Sequence, residues 1–455
     1  MIIGTSAADM MRPDVIEVER RGASYYGLQL SDFTGALSTD TLAFRVFQPT
    51  VLTATPVNVP ATFMGLTVEN VGNGAGTSTP PWTLGLNYSI HRLLAFGTYW
   101  PEIETSDGVF NWTKMDAAVN AAVAAGKQVL WNVAYTPTFH SRDVNAHRSS
   151  GQANSGGWAA CPSDLAASMQ TYPTLNSAKW GRFVRAAVQR YVGRIKYYVM
   201  WNEPNYRRYG NSGSQEVPHG NWFDTSDTGV LTDLTTVRTS VTGGQNYTQF
   251  VRMQADLYGI VKAEDPAAIV VGPDFFGEAS SQGTGGKQDG VTCFAAWLAA
   301  GGASYCDAYA WHAYMDEYLG IEGVSKRLLG RLQALEAARV AAGAPVKPWH
   351  NTETGHERLE DMALDDQNLW LARNVLIHAA LGWSSWGMYV WDSLNPATTQ
   401  MSLWAPANLS NPGLRPIAQE YNRWAAILQG ATITNAVILG NGKVCATING
   451  TAYVV

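Results

Sequence analysis

Short apolar runs alternate with longer amphipathic stretches from about residue 61 to residue 429. Helical periodicity follows nearly every apolar run, at 113–125, 177–191, 246–264, 293–300, 324–342, 365–381 and 416–428. The apolar runs themselves predict eight strands, at 63–68, 89–94, 127–134, 197–201, 269–273, 309–314, 346–352 and 384–391. After the first strand, the segment 77–82 has room for little more than a turn. This alternation predicts an α/β fold, a (β/α)8 TIM barrel.

Both ends of the chain carry β patterns that lie outside this alternation. Strand-like alternation occurs at 15–19 and 42–47, and a hairpin pattern surrounds Gly440-Asn441-Gly442. Because an isolated hairpin is barely stable, we expect the C-terminal hairpin to pair with the N-terminal strands in a small accessory β-layer. The predicted domains are an N-terminal β segment at 1–60, the barrel at 61–429 and the C-terminal hairpin at 430–455.

Length and composition narrow the class of protein. A chain of 455 residues suits a barrel of ~250 residues with long insertions and an accessory part. The net charge is −6 and no basic block is present, which disfavours nucleic acid as a partner. No apolar run approaches the ~20 residues of a membrane span, so we predict no membrane partner either.

The four cysteines, Cys161, Cys293, Cys306 and Cys445, have a spacing that fits no metal-binding pattern. We therefore predict neither a metal nor another cofactor. Cys293 and Cys306 could form a disulfide if the helix between them folds back, but free buried thiols are equally compatible with the sequence.

One strand ends abruptly on a carboxylate. Residues 197–201 are aromatic or apolar, and Pro204 cannot continue a strand, so Glu203 is held at the strand terminus. In a barrel the active site lies at the C-terminal ends of the strands. Those ends carry Arg92, Tyr135, Asn202, Glu203, His312, Tyr314, Glu353, Trp391 and Asp392. Glu203 and Glu353, at strands four and seven, form the pair of carboxylates that glycoside hydrolysis requires.

These motifs resemble a known group of enzymes. Trp201-Asn202-Glu203-Pro204 at strand four, and the segment 349–355 with Glu353 at strand seven, resemble clan A glycoside hydrolases. The segment 100–116 is most similar to family 39 and related family 5. The resemblance implies a retaining β-glycosidase, endo or exo, that acts on a poly- or oligosaccharide. It also implies that Glu203 is the general acid/base and Glu353 the nucleophile.

The same resemblance implies a set of substrate-binding residues. Asn202 is expected to bind the sugar 2-hydroxyl, Tyr314 to orient Glu353, and Trp391 to form the floor of a sugar subsite. Arg92, if it lies near Glu353, would keep that carboxylate ionised, and a purely structural ion pair remains an alternative. The remaining members of the set are Tyr135, His140 and His312. A place in the core is an alternative for His312, and packing within the barrel is an alternative for Trp391.

Two other functions fit the same residues. A transglycosylase would use both carboxylates, and a non-catalytic carbohydrate-binding barrel would retain the fold without the chemistry. The substrate class favours an extracellular or periplasmic location, although residues 1–4 lack the features of a secretory signal. Whether action is endo or exo depends on the long loops at 138–176 and 206–244.

Overall fold

The computed structural model describes most of the chain. The described residues are 15–20, 24–29, 43–45, 50–53, 55–69, 79–94, 97–140, 158–159, 162–205, 245–277, 289–315, 320–356, 362–392, 402–405, 413–439 and 442–455. The loop at 206–244 lies outside these ranges. So do 141–157 and 160–161, including Cys161, within the loop predicted at 138–176.

Three strands near the N-terminus form a small antiparallel sheet. The central strand β1 (Val15–Arg20) pairs with β2 (Ser24–Gln29) on one side and with β3 (Ala43–Arg45) on the other. Both strand patterns predicted from this part of the sequence are therefore confirmed. The next two strands, β4 (Thr50–Thr53) and β5 (Val57–Asn58), join a different sheet, described below.

Eight parallel strands close into a barrel. In order around the barrel they are β6 (Met64–Val68), β7 (Ile90–Leu93), β10 (Gln128–Val133), β13 (Ile195–Met200), β14 (Ile269–Phe276), β15 (Ala308–His312), β16 (Trp349–Thr354) and β17 (Ser385–Met388). Short antiparallel pairs lie beside it, formed by β8 (Glu104–Ser106) with β9 (Val109–Phe110), by β11 (Thr136–Pro137) with β12 (Trp158–Ala159) and by β18 (Trp404–Ala405) with β19 (Gly413–Leu414). The predicted barrel, with all eight strands, is confirmed.

Helices follow the barrel strands as predicted. They are α1 (Trp100–Ile103), α2 (Thr113–Ala124), α3 (Ala178–Tyr191), α4 (Gln245–Glu264), α5 (Gly290–Ala299), α6 (Gly320–Ala341), α7 (Leu364–Ala380) and α8 (Ile417–Leu428). The first strand is followed, within the described residues, only by the short 3-10 helix Pro81–Leu84. This agrees with the turn predicted there.

The barrel interior divides into an apolar and a polar half. Small and branched side chains fill the half near the strand N-termini: Ile90, Leu130, Tyr197, Val199, Val271, Ala308 and Ala310. Side chains alternate along a strand, so Arg92 lies on the same face as Ile90, and Asn132 on the same face as Leu130. The strands therefore carry apolar residues into the core and polar residues to the C-terminal mouth.

Strand β14 contains an irregularity that changes the site. The sequence predicts that this strand stops at Pro273, but it continues to Phe276. Its register with β15 shifts between Val271, which faces Ala308, and Asp274, which faces Ala310. The extra residue is a bulge that turns the side chain of Asp274 into the barrel.

The accessory layer is a sheet built from both halves of the chain. Strand β20 (Thr432–Ile438) pairs with β4 and β5 on one side and with β21 (Val444–Ile448) on the other, and β22 (Thr451–Val454) follows at the edge. The expected pairing of the C-terminal hairpin with an N-terminal segment is thus confirmed for residues 50–58. The earlier strands β1–β3 form their own sheet instead.

The described cysteines are buried free thiols. Cys293 and Cys306 do not form the disulfide that the sequence allowed, and Cys445 is also free. Burial raises the pKa of the Cys293 and Cys306 thiols to about 12, so both stay protonated and unreactive. In the described part of the chain, none of the helices combines the length and apolar character needed to cross a bilayer.

Candidate active site

Two carboxylates converge at the C-terminal mouth of the barrel. Glu203 directly follows β13, and Glu353 lies in β16, three strands further around. One oxygen of each carboxylate and Nδ1 of His312 all lie within 4.8 Å of one another. The Glu203 and Glu353 side chains remain 13% and 8% exposed. Both carboxylates can therefore reach a single bond of a molecule bound at the mouth.

The chain that carries Glu203 adopts an unusual backbone. Trp201 and Glu203 have φ values of 70° and 45°, in the left-handed region that non-glycine residues rarely occupy. The Trp201 carbonyl accepts a hydrogen bond of 2.6 Å from Asn132 Nδ2, and the Glu203 N–H donates one of 3.2 Å to Asp274 Oδ1. Two side chains from neighbouring strands thus hold the turn that presents Glu203.

Arg92 binds the second carboxylate. Its Nη1 donates to Glu353 Oε2 and, at 3.3 Å, to Thr67 Oγ1. Its Nε donates to Asn132 Oδ1 at 2.9 Å, and Nη2 donates to Asn202 Oδ1 at 2.7 Å. This buried cation therefore forms a direct ion pair with Glu353.

Tyr314 binds the other oxygen of Glu353. Its hydroxyl donates to Glu353 Oε1 at 2.7 Å, and its ring stacks on Phe276 with centroids 5.4 Å apart. Burial, together with the charge of Glu353, raises the pKa of Tyr314 well above its usual value, so the hydroxyl remains a donor. Arg92 and Tyr314 together fix both carboxylate oxygens.

His312 lies between two carboxylates. Its Nδ1 is 2.7 Å from Glu203 Oε1, and its Nε2 is 2.9 Å from Asp274 Oδ2. Burial lowers the pKa of His312, but the negative charges of Asp274 and Glu353 outweigh burial and raise it to about 10. The ring is therefore an imidazolium at neutral pH.

Glu203 binds protons more tightly than an ordinary glutamate. Burial raises its pKa, and the negative charges of Glu353 and Asp274 act in the same direction, while the contact with His312 opposes them. The two carboxylates thus have different environments. Glu353 contacts a guanidinium, and Glu203 is buried beside a histidine.

Asn202 and Tyr135 also lie in this cluster, as predicted from their positions at strand ends. Asn202 Nδ2 donates to the Tyr135 hydroxyl at 3.4 Å, while its Oδ1 accepts from Arg92. The Tyr135 ring packs edge-on against Trp201, with centroids 5.5 Å apart. The structure therefore brings together Arg92, Tyr135, Asn202, Glu203, His312, Tyr314 and Glu353.

His140 belongs to a different cluster. It is 1% exposed, its Nε2 lies 3.0 Å from Glu104 Oε1, and its ring packs against Trp100. Arg182 Nη2 joins them, 2.7 Å from the same Glu104 oxygen. The imidazole is occupied by a buried carboxylate and lies outside the cluster around Glu203 and Glu353. Its role as a substrate ligand stays a prediction.

Trp391 is also placed differently from the prediction. It is fully buried, stacks on Trp404 at a centroid distance of 6.2 Å, and donates from Nε1 to the Thr79 carbonyl at 3.0 Å. An indole with no exposed face cannot form the floor of a subsite, so the packing alternative holds here. The half-buried aromatic ring at this end of β17 is Tyr389, which packs against Phe276 and Tyr314.

Two polar residues of the site were missed from the sequence. Asp274 was missed because Pro273 indicates the end of a strand. Strand β14 instead continues through a bulge that places Asp274 inside the barrel. Asn132 lies inside β10, one residue before the strand ends at Val133. A polar residue at an alternate position of an otherwise apolar strand, on the same face as Leu130, is the signal that would have found Asn132.

Glu203, His312 and Glu353 have donor atoms close enough to share a metal ion, and so do Glu104, Asp107 and His140. Charge argues against a cation in either cluster. The first holds the guanidinium of Arg92, and the second holds the guanidinium of Arg182. The donor sets therefore do not fit a divalent metal, for which the ligands must be deprotonated and uncommitted.

The fold and the paired carboxylates define a TIM-barrel protein with a polar site at the C-terminal mouth. No protein-family model matches the sequence, and comparison with curated protein sequences found no match.

Solved structures share this fold. A glucosidase from Croceicoccus marinus aligns with a TM-score of 0.50 and 12% identity, over 86% of this chain and 72% of its own. A family 39 glycoside hydrolase from Bacteroides cellulosilyticus WH2 aligns with a TM-score of 0.50 and 14% identity, over 96% of this chain and 84% of its own. At such low identity the likeness shows a common fold.

Proposed function

We propose that this protein is a retaining glycoside hydrolase that cleaves β-glycosidic bonds of an oligo- or polysaccharide. Glu353 is the nucleophile and Glu203 the general acid/base. The observation that carries the proposal is the pair Glu203–Glu353, with carboxylate oxygens within 4.8 Å of each other. Such closeness supports the retaining geometry, in which the carboxyl groups are about 5–5.5 Å apart, over the inverting one at about 6.5–9.5 Å.

In the first step the ionised Glu353 attacks the anomeric carbon, and the bond from that carbon to the leaving oxygen breaks. Glu203 transfers its proton to the leaving oxygen. Arg92 and Tyr314 hold Glu353 in its attacking orientation, and burial raises the pKa of Glu203, which favours the protonated form that this step requires.

In the second step a water molecule attacks the anomeric carbon of the glycosyl-enzyme. Glu203, now ionised, accepts a proton from the water, and the bond to Glu353 breaks. The enzyme regains its starting protonation, and the sugar leaves with its original anomeric configuration. Asn202, beside Glu203 and bound to Arg92, supplies an amide within reach of the sugar.

The test uses a panel of 4-nitrophenyl β-glycosides and β-linked polysaccharides. We expect the wild type to hydrolyse at least one of them. We expect Glu203→Gln to lower kcat by about 10²–10⁴-fold, the usual contribution of general acid–base catalysis, and Glu353→Gln to lower it at least as much. Glu336→Gln is the matched control, because this surface carboxylate on α6 is 49% exposed and pairs with Arg339.

Azide separates the two roles. With Glu203→Ala it should attack the glycosyl-enzyme and give a β-glycosyl azide, and with Glu353→Gly it should replace the nucleophile and give an α-glycosyl azide. Full hydrolysis by both glutamine variants would contradict the assignment. A wild type that binds these glycans without cleaving them would indicate the carbohydrate-binding alternative, and transfer to added sugar in preference to water would indicate a transglycosylase.

A further inference from the structure

Asp274 occupies the centre of the cluster without facing solvent. Its Oδ2 lies 2.7 Å from Asn132 Nδ2, 2.9 Å from His312 Nε2 and 3.5 Å from Arg92 Nη2. Its Oδ1 accepts the Glu203 N–H at 3.2 Å. One buried carboxylate therefore contacts the chain that carries Glu203 and the imidazole that contacts the Glu203 side chain.

The imidazole of His312 contacts Asp274 through one ring nitrogen and Glu203 through the other. A neutral imidazole has a single N–H, yet both ring nitrogens of His312 lie within 2.9 Å of a carboxylate oxygen. As an imidazolium the ring carries a proton on each nitrogen. Nδ1 therefore donates to Glu203 Oε1, and the charged ring forms an ion pair with Asp274 across the 2.9 Å contact at Nε2.

We propose that Asp274 is a positioning residue for the acid/base carboxyl: it anchors the Nε2 side of His312 and keeps a proton in the contact between His312 and Glu203. The proposal rests on the proposed function of Glu203. It extends that function to a residue that never touches the substrate and acts through the imidazole and through the Glu203 backbone.

The charge balance around His312 supports this role. Two cations, Arg92 and the His312 imidazolium, face three carboxyl groups, and Arg92 is directed at Glu353. The negative charge of Asp274 raises the pKa of both His312 and Glu203, although burial is the larger influence on each. The titratable and charged groups that face the imidazole from the surrounding elements are Arg92, Glu203, Asp274, Tyr314 and Glu353.

The test compares Asp274→Asn, which removes the charge and keeps the shape, with Thr352→Val. The Thr352 hydroxyl is 3.4 Å from Asp274 Oδ2 and carries no charge, so its removal is the control for packing. We expect Asp274→Asn to move the alkaline limb of the pH profile of kcat/KM by about one pH unit or more to lower pH. Thr352→Val should leave that limb in place.

A second measurement does not depend on activity. In the ¹⁵N spectrum of histidine-labelled wild type, the signal lost in His312→Gln should titrate near pH 10, and in Asp274→Asn it should titrate at least about one pH unit lower. If His312 of the wild type titrates near its ordinary value of about 6.5, the inference is wrong even if Asp274→Asn fails to fold.

The two proposals can fail separately. If the wild type cleaves none of the glycosides, the proposed function fails, while the histidine titration still decides the role of Asp274. If Asp274→Asn is folded and active with an unshifted alkaline limb and an unshifted His312 signal, the role of Asp274 is disproved and the proposed function stands.

Discussion

At the scale of single residues, Arg92 connects four separate parts of the barrel mouth. Its guanidinium donates to side chains from β6, β10 and β16 and from the turn after β13, namely Thr67, Asn132, Glu353 and Asn202. The planar fork of N–H groups makes this possible, since a lysine ammonium offers a single point of charge. The structural and catalytic roles considered for Arg92 are thus compatible.

Replacement of Arg92 by methionine should destabilise the fold. It leaves Glu353 and Asp274 buried without this cation, and such a loss costs about 3–5 kcal/mol. Urea unfolding at pH 7 measures the change. Arg92→Lys is the comparison, because it retains the charge, and we expect it to lie between the wild type and Arg92→Met. An Arg92→Met protein as stable as the wild type would show that the buried charges are compensated by other groups.

The cluster also shows what a single sequence can and cannot predict at this scale. Glu203 and Glu353 are visible because each ends a strong strand pattern. Asp274 is not, because its side chain reaches the interior only through a one-residue bulge that no local pattern marks. His140 and Trp391 occupy the expected chain positions, but tertiary packing turned both into the interior.

At the scale of elements, Glu104 joins the hairpin of β8 and β9 to helix α3. Its carboxylate is fully buried and accepts from Trp100 Nε1, from the Gly108 N–H at 2.7 Å and from Arg182 Nη2 at 2.7 Å. Arg182 lies in α3, so the contact connects segments about 80 residues apart. This network connects the β8–β9 hairpin to helix α3 beside the barrel.

We expect Glu104→Gln to lower the free energy of unfolding by about 1–3 kcal/mol, since it weakens buried hydrogen bonds to the carboxylate while Arg182, 41% exposed, keeps Asp107 as a partner. The activity per folded molecule should be unchanged. Thermal and urea unfolding give the stability, and active-site titration gives the activity. A loss of activity with full stability would argue instead that the cluster takes part in function.

Element positions were the most predictable part of the molecule. Every barrel strand was predicted, because a strand buried on both faces is a short continuous apolar run. Most boundaries shifted by only a few residues, as where α6 begins at Gly320, four residues before the prediction. Strand β14 likewise continues past Pro273 to Phe276, through the bulge.

At the scale of the whole molecule, buried histidines of opposite character limit the pH range of stability. Burial lowers the pKa of His350 and of His378 to about 4, and burial with the charge of Lys127 lowers that of His91 to about 3. His312 is the opposite case, with a pKa of about 10. The first three are neutral in the fold at neutral pH, and the fourth is charged.

The sign of the effect follows from linkage. The three lowered groups contribute stability above pH 6.5 that is lost as pH falls through their folded pKa values, because the unfolded chain then binds more protons. At pH 5 the three histidines together change the free energy of unfolding by about 4 kcal/mol per pH unit. The His312 contribution is present below pH 6.5 and is lost as pH rises toward about 10.

We therefore expect the unfolding free energy to decline on both sides of about pH 6.5, as measured by urea unfolding between pH 5 and pH 9. His350→Gln should reduce the acid-side slope by about a third, because one of the three lowered groups is removed. The same slope in wild type and variant would show that His350 binds a proton equally in both states.

The pairing of β4 with β20 has a consequence for the order in which the molecule is made. On the ribosome β4 is synthesised about 380 residues before β20, and β6 about 320 residues before β17, which closes the barrel. At about 5–20 residues per second, β4 waits roughly 20–75 s for its partner. Throughout that time the nascent chain exposes unpaired strand edges and apolar side chains such as Leu52 and Phe63, later part of the core. Yield in the cell should thus depend on chaperones that bind extended, apolar segments until translation ends.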